Sequence, residues 1–382
     1  MALYLSIPML TKLISSIYQF DNNIILLVGL ILFFSVFYNK KEISLHKNFI
    51  LINLLILLLF LISFLKLIDV NYTIYYLYNY FLYGVVAMYL LHFEYDYKFV
   101  FKYISLIFMF FTIILVTKYI PLINMSSNLD FTMDLSYSVL VGYIATLIYF
   151  KYINFKPMKI FSIICLIINS YYLLVLNNNR GSIIVLILFF MIHFLEKIKK
   201  KRNKIFISLF LIIFVIIGVN ILFDNLYKIN TNINWLNRLI FQAKQNNISS
   251  SRDLLFNDAM NLIKDKPFFG FGIGYFENTH DGLYTHNMFL QLICESGLFA
   301  LLTVGIYSIV CCYKNIFVSN DSKRLVDRDF KLYLLLQSIP RLMISSVYWL
   351  NSYFWMYLYI NLIGGKNEKK QITQANNKIS NI

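Results

Sequence analysis

Residues 49–68 read Phe-Ile-Leu-Ile-Asn-Leu-Leu-Ile-Leu-Leu-Leu-Phe-Leu-Ile-Ser-Phe-Leu-Lys-Leu-Ile, with one charge, Lys66, near the end. A helix of about 20 such residues rises about 30 Å, the thickness of a bilayer's hydrocarbon core. The rest of the chain repeats the pattern. Apolar runs of roughly 16–22 residues, the length that spans a bilayer, alternate with clusters of charge. The 382 residues are 59% hydrophobic and only 14% charged, with mean hydropathy +0.66. A soluble globular chain is nearer 45–50% apolar. The expected fold class is therefore all-α: a polytopic membrane bundle of about twelve helices.

The expected spans are Leu3–Gln19, Ile24–Tyr38, Phe49–Ile68, Thr73–Phe93, Tyr103–Ile120, Leu135–Phe150, Ile160–Leu176, Ser182–Leu195 and Ile205–Phe223. After a long polar loop come Asn287–Tyr313, Phe330–Val347 and Tyr353–Ile363, the last two readable also as one broken hairpin. The first run has no small-residue cleavage site and leads straight into more spans, so it reads as a retained helix. This divides the chain into an N-terminal bundle (1–223), a large extracytoplasmic loop (224–285), C-terminal spans (286–363) and a polar tail (364–382).

The net charge of +15 is distributed by side. Lys40, Lys41, Lys47, Lys98, Lys102, Lys151, Lys156, Lys159, the run Lys197–Lys204, and Lys314, Lys323, Arg324, Arg328 and Lys331 fall in alternate connections. The tail adds Lys366, Lys369, Lys370 and Lys378. That is the positive-inside pattern, placing these connections and both termini in the cytoplasm. It accounts for the basic balance without nucleic acid. Cys165, Cys294, Cys311 and Cys312 lie in apolar runs and fit neither a disulfide framework nor a zinc site.

The loop faces the other side and is nearly neutral, so its arginines need a reason. Trp235, Leu236, Leu239, Ile240 and Ala243 recur at helical spacing, as in an amphipathic surface helix. Ser250-Ser251-Arg252-Asp253 resembles a capping box, with Ser250 as N-cap, before a helix that buries Leu255, Ala259, Leu262 and Ile263 and stops at Lys266-Pro267. Arg252 then sits in a first turn, where free N–H groups and a guanidinium together suit a phosphate; a surface salt bridge to Asp253 or Asp258 is the alternative. Arg180, after Asn177-Asn178-Asn179 and before Gly181, is a second cation on the side where cations are scarce. It reads as an anion ligand with Asn179 beside it, or as a snorkelling arginine.

Gly270, Gly272 and Gly274 form a Gly-x-Gly-x-Gly run that no strand precedes, so it is not a dinucleotide fingerprint. It reads as a turn letting backbone approach a ligand or a helix. His286 stands where the chain re-enters the membrane, and Asn287, Gln291 and Glu295 follow at i+4 steps as a polar stripe. An acid at the depth of Glu295 needs a partner or a wet cavity, and Arg341 is the expected partner, in a structural or access-lining role. His280-Asp281 is a second candidate acid–base pair. No His-Glu-x-x-His or Gly-x-Ser-x-Gly motif occurs, so neither a metal nor a serine nucleophile is expected.

Asn179-Arg180-Gly181 before a span, Ser251-Arg252 with a helix leading to Pro267-Phe268-Phe269-Gly270-Phe271-Gly272-Ile273-Gly274, and His286-Asn287-x-x-Leu290 with Glu295-Ser296-Gly297 occur in one order. In this the chain resembles the O-antigen polymerase and O-antigen ligase superfamily of bacterial polysaccharide enzymes. The resemblance is close from about Asn177 to Leu302. It implies a glycosyltransferase of the cytoplasmic membrane without metal or other cofactor. Its donor would be a glycan on undecaprenyl diphosphate, used at the extracytoplasmic face. Diphosphate binding is carried over to Arg180 and Arg252, and acceptor activation to His286, with Asn179, Asn287 and the three glycines in substrate contact. The implied partners are lipid-linked donor and acceptor, the bilayer, and a chain-length regulator where one binds. Repeat-unit polymerisation for O-antigen, capsule or exopolysaccharide is the expected reaction. Ligase-type transfer to a lipid or protein acceptor, and a flippase or other transporter, remain alternatives.

Overall fold

A computed structural model describes residues 1–17, 27–32, 45–67, 69–93, 95–125, 129–177, 179–196, 202–208, 234–244, 252–318 and 325–363, with isolated positions between. Every regular element among these residues is helical. Five of the described helices are long and apolar enough to cross a membrane: Lys47–Lys66, Tyr97–Ile123, Met133–Tyr152, Lys156–Leu176 and Met288–Phe317. The chain is thus a multi-pass helical membrane protein. The expected count of about twelve is not reached among the described residues. The spans expected at Ile24–Tyr38 and Ile205–Phe223 lie largely outside them, as does the tail from 364. A helix is described over residues 352–363, of which 352–360 are all buried.

The helices form two compact units. The first comprises residues 1–38, 95–254 and 314–344. It contains α1 (Ile7–Ile17), α4 (Tyr97–Ile114, prolonged to Met125), α5 (Leu129–Tyr149), α6 (Lys156–Tyr171, prolonged to Leu176), α7 (Arg180–Glu196), α8 (Asn234–Lys244) and α12 (Leu325–Leu342). The second comprises residues 39–94, 255–313 and 345–382. It contains α2 (Lys47–Lys66), α3 (Asn71–Asn79, prolonged to Leu90), most of α9 (Arg252–Asp265), α10 (Tyr275–Thr279), most of α11 (Met288–Ala300, prolonged to Val318) and α13 (352–363).

Aromatic rings fill both cores, because apolar helices in lipid gain by packing shape rather than by leaving water. In the first unit Phe101 meets Tyr333 edge-on at 5.5 Å, and Phe108 meets Tyr143 at 6.4 Å. Buried amides tie the helices together: Asn169 Nδ2 donates to Thr112 Oγ1 at 2.8 Å, and Gln337 Nε2 to the Leu140 carbonyl at 3.2 Å. In the second unit Phe60 packs on Trp349 at 4.8 Å and Tyr80 on Trp355 at 5.1 Å. The Tyr80 hydroxyl donates to Asn53 Oδ1 at 2.7 Å, which explains the asparagine inside the opening stretch.

Candidate functional site

In the first unit the asparagine turn before α7 is built as an internal scaffold. Asn177 Nδ2 donates to Ser182 Oγ at 2.6 Å and to the Asn179 carbonyl at 3.0 Å. Asn177 Oδ1 receives the Asn179 N–H at 2.8 Å, and Asn179 Oδ1 receives the Gly181 N–H at 3.0 Å. Asn179 Nδ2 reaches Ser136 Oγ on α5 at 2.9 Å. Asn177 and Asn179 are buried, so the sequence spends them on holding the turn. Asn179, expected in substrate contact, has its amide oxygen and nitrogen both engaged in this scaffold.

The product of the scaffold is the placement of Arg180. One guanidinium nitrogen donates to Gln242 Oε1 on α8 at 2.9 Å. Arg238 lies one turn before Gln242 on the same face of α8. Burial first, then the nearby charges of Arg238 and Arg252, lower the Arg180 pKa from its ordinary value. Arginine stays protonated under any ordinary condition, so Arg180 stands under the repulsion of two further guanidiniums. An anion between them relieves that repulsion. The helix predicted to carry Arg252 starts at that residue, with Asp253 in its first turn; the expected cap at Ser250 lies outside the described residues. The sequence alone does not single out Arg238. Its neighbours are distant in sequence.

Arg341, the expected partner of Glu295, belongs to the first unit. Its guanidinium lies 4.5 Å over the Tyr137 ring, with Nε buried and without a hydrogen-bond acceptor. A cation on an aromatic face is stabilised without a carboxylate. A small cavity of about 20 Å³ also lies in this unit, lined by Lys151, His193 and Asp329 among apolar residues. It sits toward the far end of α7 from Arg180, and its Lys151–Asp329 pair at 3.5 Å reads as structural.

In the second unit the glycine-rich turn packs backbone on backbone. The Phe271 and Gly272 N–H groups donate to the Cys294 and Glu295 carbonyls of α11 at 2.8 and 2.9 Å, and the Leu298 N–H donates to the Pro267 carbonyl at 2.8 Å. Helix α11 is interrupted at Gly297 (φ 73°, ψ −169°), which breaks its own ladder where these bonds form. A Cβ at Gly270 would come 2.6 Å from the Glu295 carbonyl carbon. The turn also docks on α2 and α3. Ser63 Oγ receives the Ile273 N–H at 2.9 Å, and Thr73 Oγ1 donates to the Ile273 carbonyl at 2.6 Å. Of the two uses the sequence leaves open for Gly270, Gly272 and Gly274, the fold provides the approach to a helix.

Below that turn runs a buried polar chain. Gln291 Nε2 donates to Glu277 Oε1 at 2.6 Å and to Glu295 Oε1 at 2.8 Å. Tyr76 Oη donates to Glu277 Oε1 at 2.8 Å. The other Glu295 oxygen receives Trp349 Nε1 at 3.1 Å and the Tyr348 hydroxyl. Glu295 is thus satisfied by neutral donors, and the predicted Gln291–Glu295 stripe is its core. Glu277 is the acid the sequence reading missed. It lies in a five-residue helix with no periodicity to mark it, and its Oε2 has no hydrogen-bond partner.

Burial raises the Glu277 pKa above the usual carboxylate range, against the lowering effect of Gln291 and Tyr76. The folded state then binds this proton more tightly than the unfolded chain, whose glutamates titrate near about 4.3. Below that pH the group has no effect on stability. Above it, stability falls until the raised folded pKa is passed. Glu277→Gln, which keeps an acceptor for Tyr76 and Gln291, is expected to raise the melting temperature in detergent more at pH 8 than at pH 5, by about 2–4 °C per kcal/mol recovered. An equal shift at both pH values contradicts this assignment.

His286 crowns the chain of contacts. Its φ is +53°, a left-handed conformation that a non-glycine residue adopts only when the fold imposes it. Thr285 Oγ1 lies 2.9 Å from the Asn287 carbonyl and 3.3 Å from Gln291 Oε1, so the residue before His286 is tied to the buried network. Asn287 caps α11, its Oδ1 receiving the Phe289 and Leu290 N–H groups at 2.9 and 3.3 Å. The His286 ring lies against Tyr284 at 4.1 Å and is part exposed. His280 pairs with Asp258, Nε2 to Oδ2 at 3.5 Å, and not with Asp281 as expected; its Nδ1 is 2.9 Å from the Phe276 carbonyl, a contact that anchors the loop.

No curated protein matches the chain. Residues 161–305 match the family model described as O-antigen ligase. The match takes in the asparagine turn, Arg180, Arg238, Arg252, the glycine-rich turn, Glu277, His286 and Glu295, and ends before Arg341. Members of that family are glycosyl-transferring enzymes acting on lipid-linked glycans in a membrane. Over these residues the chain is thus similar to the O-antigen polymerase and ligase superfamily.

Proposed function

We propose that this protein polymerises oligosaccharide repeat units carried on undecaprenyl diphosphate, at the extracytoplasmic face of the bacterial cytoplasmic membrane. The observation that carries the reading is the collection of Arg180, Arg238 and Arg252 within the matched region. In the reaction an acceptor hydroxyl oxygen bonds to the donor's anomeric carbon. The bond from that carbon to the diphosphate oxygen breaks, and its electron pair leaves with the diphosphate. Arg180 and Arg252 neutralise the charge that grows there, which fixed cations in a poorly solvated site do well. His286 takes the acceptor's proton as general base.

The test is the size profile of surface glycan and of lipid-linked intermediates in a deletion strain and its complemented parent. Loss of the long ladder, with single repeat units still transferred, is expected. Polymer retained on its carrier with no transfer would assign a ligase instead. Units trapped on the cytoplasmic leaflet would assign a flippase.

A further inference from the structure

The turn between α9 and the glycine-rich run carries two phenylalanines that the fold leaves uncovered. Phe268 is 66% and Phe269 77% exposed. Their exposure is not that of a loose loop, because the backbone beneath them is fixed. The Phe268 carbonyl packs against Gly297, the Pro267 carbonyl receives the Leu298 N–H, and the Phe269 carbonyl receives Lys66 Nζ at 3.0 Å. The rings are held outward by bonds on both sides.

Their level follows from the helices that hold them. Lys66 is the last residue of α2, whose 20 residues match a bilayer core and whose Leu54, Leu58, Leu61 and Leu65 form one exposed stripe. On α11, Phe299 and Leu302, just past Gly297, are also exposed, at 65% and 60%. The pair Phe268–Phe269 therefore lies where two lipid-facing surfaces end. Two exposed lysines share that level: Lys66, and Lys266, whose Nζ sits 4.5 Å over the Phe271 ring. They are close enough to repel each other. Apolar rings beside a cation pair at the end of a span match an interface with anionic lipid.

We infer that residues 266–269, with Lys66, form a membrane-inserting hairpin: Phe268 and Phe269 enter the acyl region of the adjoining leaflet, and Lys66 and Lys266 bind the phosphate of an anionic phospholipid. The inference stands independently of the reaction catalysed. It gives the Pro-Phe-Phe segment of the motif a role that the chemistry does not supply.

The experiment places p-benzoyl-phenylalanine at Phe269, and separately at Phe299 as a lipid-facing control. The full chain is reconstituted in nanodiscs of phosphatidylcholine with a minority of phosphatidylglycerol. Irradiation is expected to give phospholipid adducts at both positions. At 269, phosphatidylglycerol should exceed its share by up to about five-fold per lysine, and the excess should vanish in Lys66→Gln/Lys266→Gln. Lipid adducts at 299 with none at 269, or adducts at 269 to protein only, would overturn insertion. Lipid adducts at 269 with no preference for phosphatidylglycerol would overturn the headgroup assignment. The double lysine variant with the label at 299 should give the same lipid adducts as the parent, which separates loss of the headgroup preference from misfolding.

Discussion

Replacing Arg180 or Arg252 with alanine is expected to lower glycan transfer by about 10²–10³-fold, while the amount of membrane-inserted protein stays unchanged. The size follows from what a fixed positive group contributes where charge develops in a transition state. The selectivity follows from how each side chain is held. Arg180 is supported through its backbone by the Asn177 and Asn179 amides, which the substitution leaves in place. What the variant loses is one hydrogen bond to Gln242 and a source of repulsion toward Arg238 and Arg252. A slight gain in stability is therefore compatible with loss of activity, and that pairing separates a binding role from a structural one. His286→Ala should match it in activity, with about 10²–10⁴-fold loss. Lysine at position 180 or 252 should restore only part of the rate, since an ammonium keeps the charge but not the planar fork. Membrane fractions blotted for the protein, beside the glycan ladder, read both quantities. Full activity in the arginine variants would refute the diphosphate assignment.

Gly297→Ala is expected to remove the folded protein rather than its chemistry. The backbone there has φ 73° and ψ −169°, a region open essentially to glycine alone. A Cβ at that position would overlap the Phe268 carbonyl oxygen and crowd the Phe269 nitrogen. Both are backbone atoms, so no rotamer change relieves the overlap. Strain and displacement together should cost about 3 kcal/mol or more, a large part of an ordinary domain's stability. The Leu298–Pro267 hydrogen bond would break with it, and the turn bearing Phe268 would lift from α11. Thermal unfolding in detergent, or the yield of monodisperse protein, measures this directly. Wild-type stability in Gly297→Ala would mean that the interruption in α11 is not required.

Local features were readable from the chain, and distant pairings were not. The polar stripe Asn287, Gln291 and Glu295 follows from helical spacing alone, and it forms as expected because α11 is a regular helix up to Gly297. The amphipathic α8 and the helix beginning at Arg252 were legible for the same reason. The partner of Glu295 was not. The sequence offers Arg341 or a wet cavity at that depth; Tyr348, Trp349 and Gln291 satisfy the carboxylate with neutral donors. Neutral donors leave no charge signature in a sequence. Arg341 meets an aromatic face, a partner that charge patterning does not mark either. Glu277 and Arg238 escaped notice because what defines each is a neighbour many residues away, Tyr76 for one and Arg180 for the other.

The docking of the glycine-rich turn on α2 and α3 also bears on how the protein is made. Ser63 and Thr73 wait for Ile273, which follows them by 210 and 200 residues. At a synthesis rate of about 5–20 residues per second, that interval is about 10–40 s. Throughout it, the helical hairpin of α2 and α3 stands in the membrane with polar groups that its eventual partner has not yet reached. Contacts of such long sequence separation are slow to form. During that interval the hairpin is open to quality-control proteases and to an insertase or chaperone. A slowing of translation after α3 should lower the yield of intact protein more than the same slowing after residue 274.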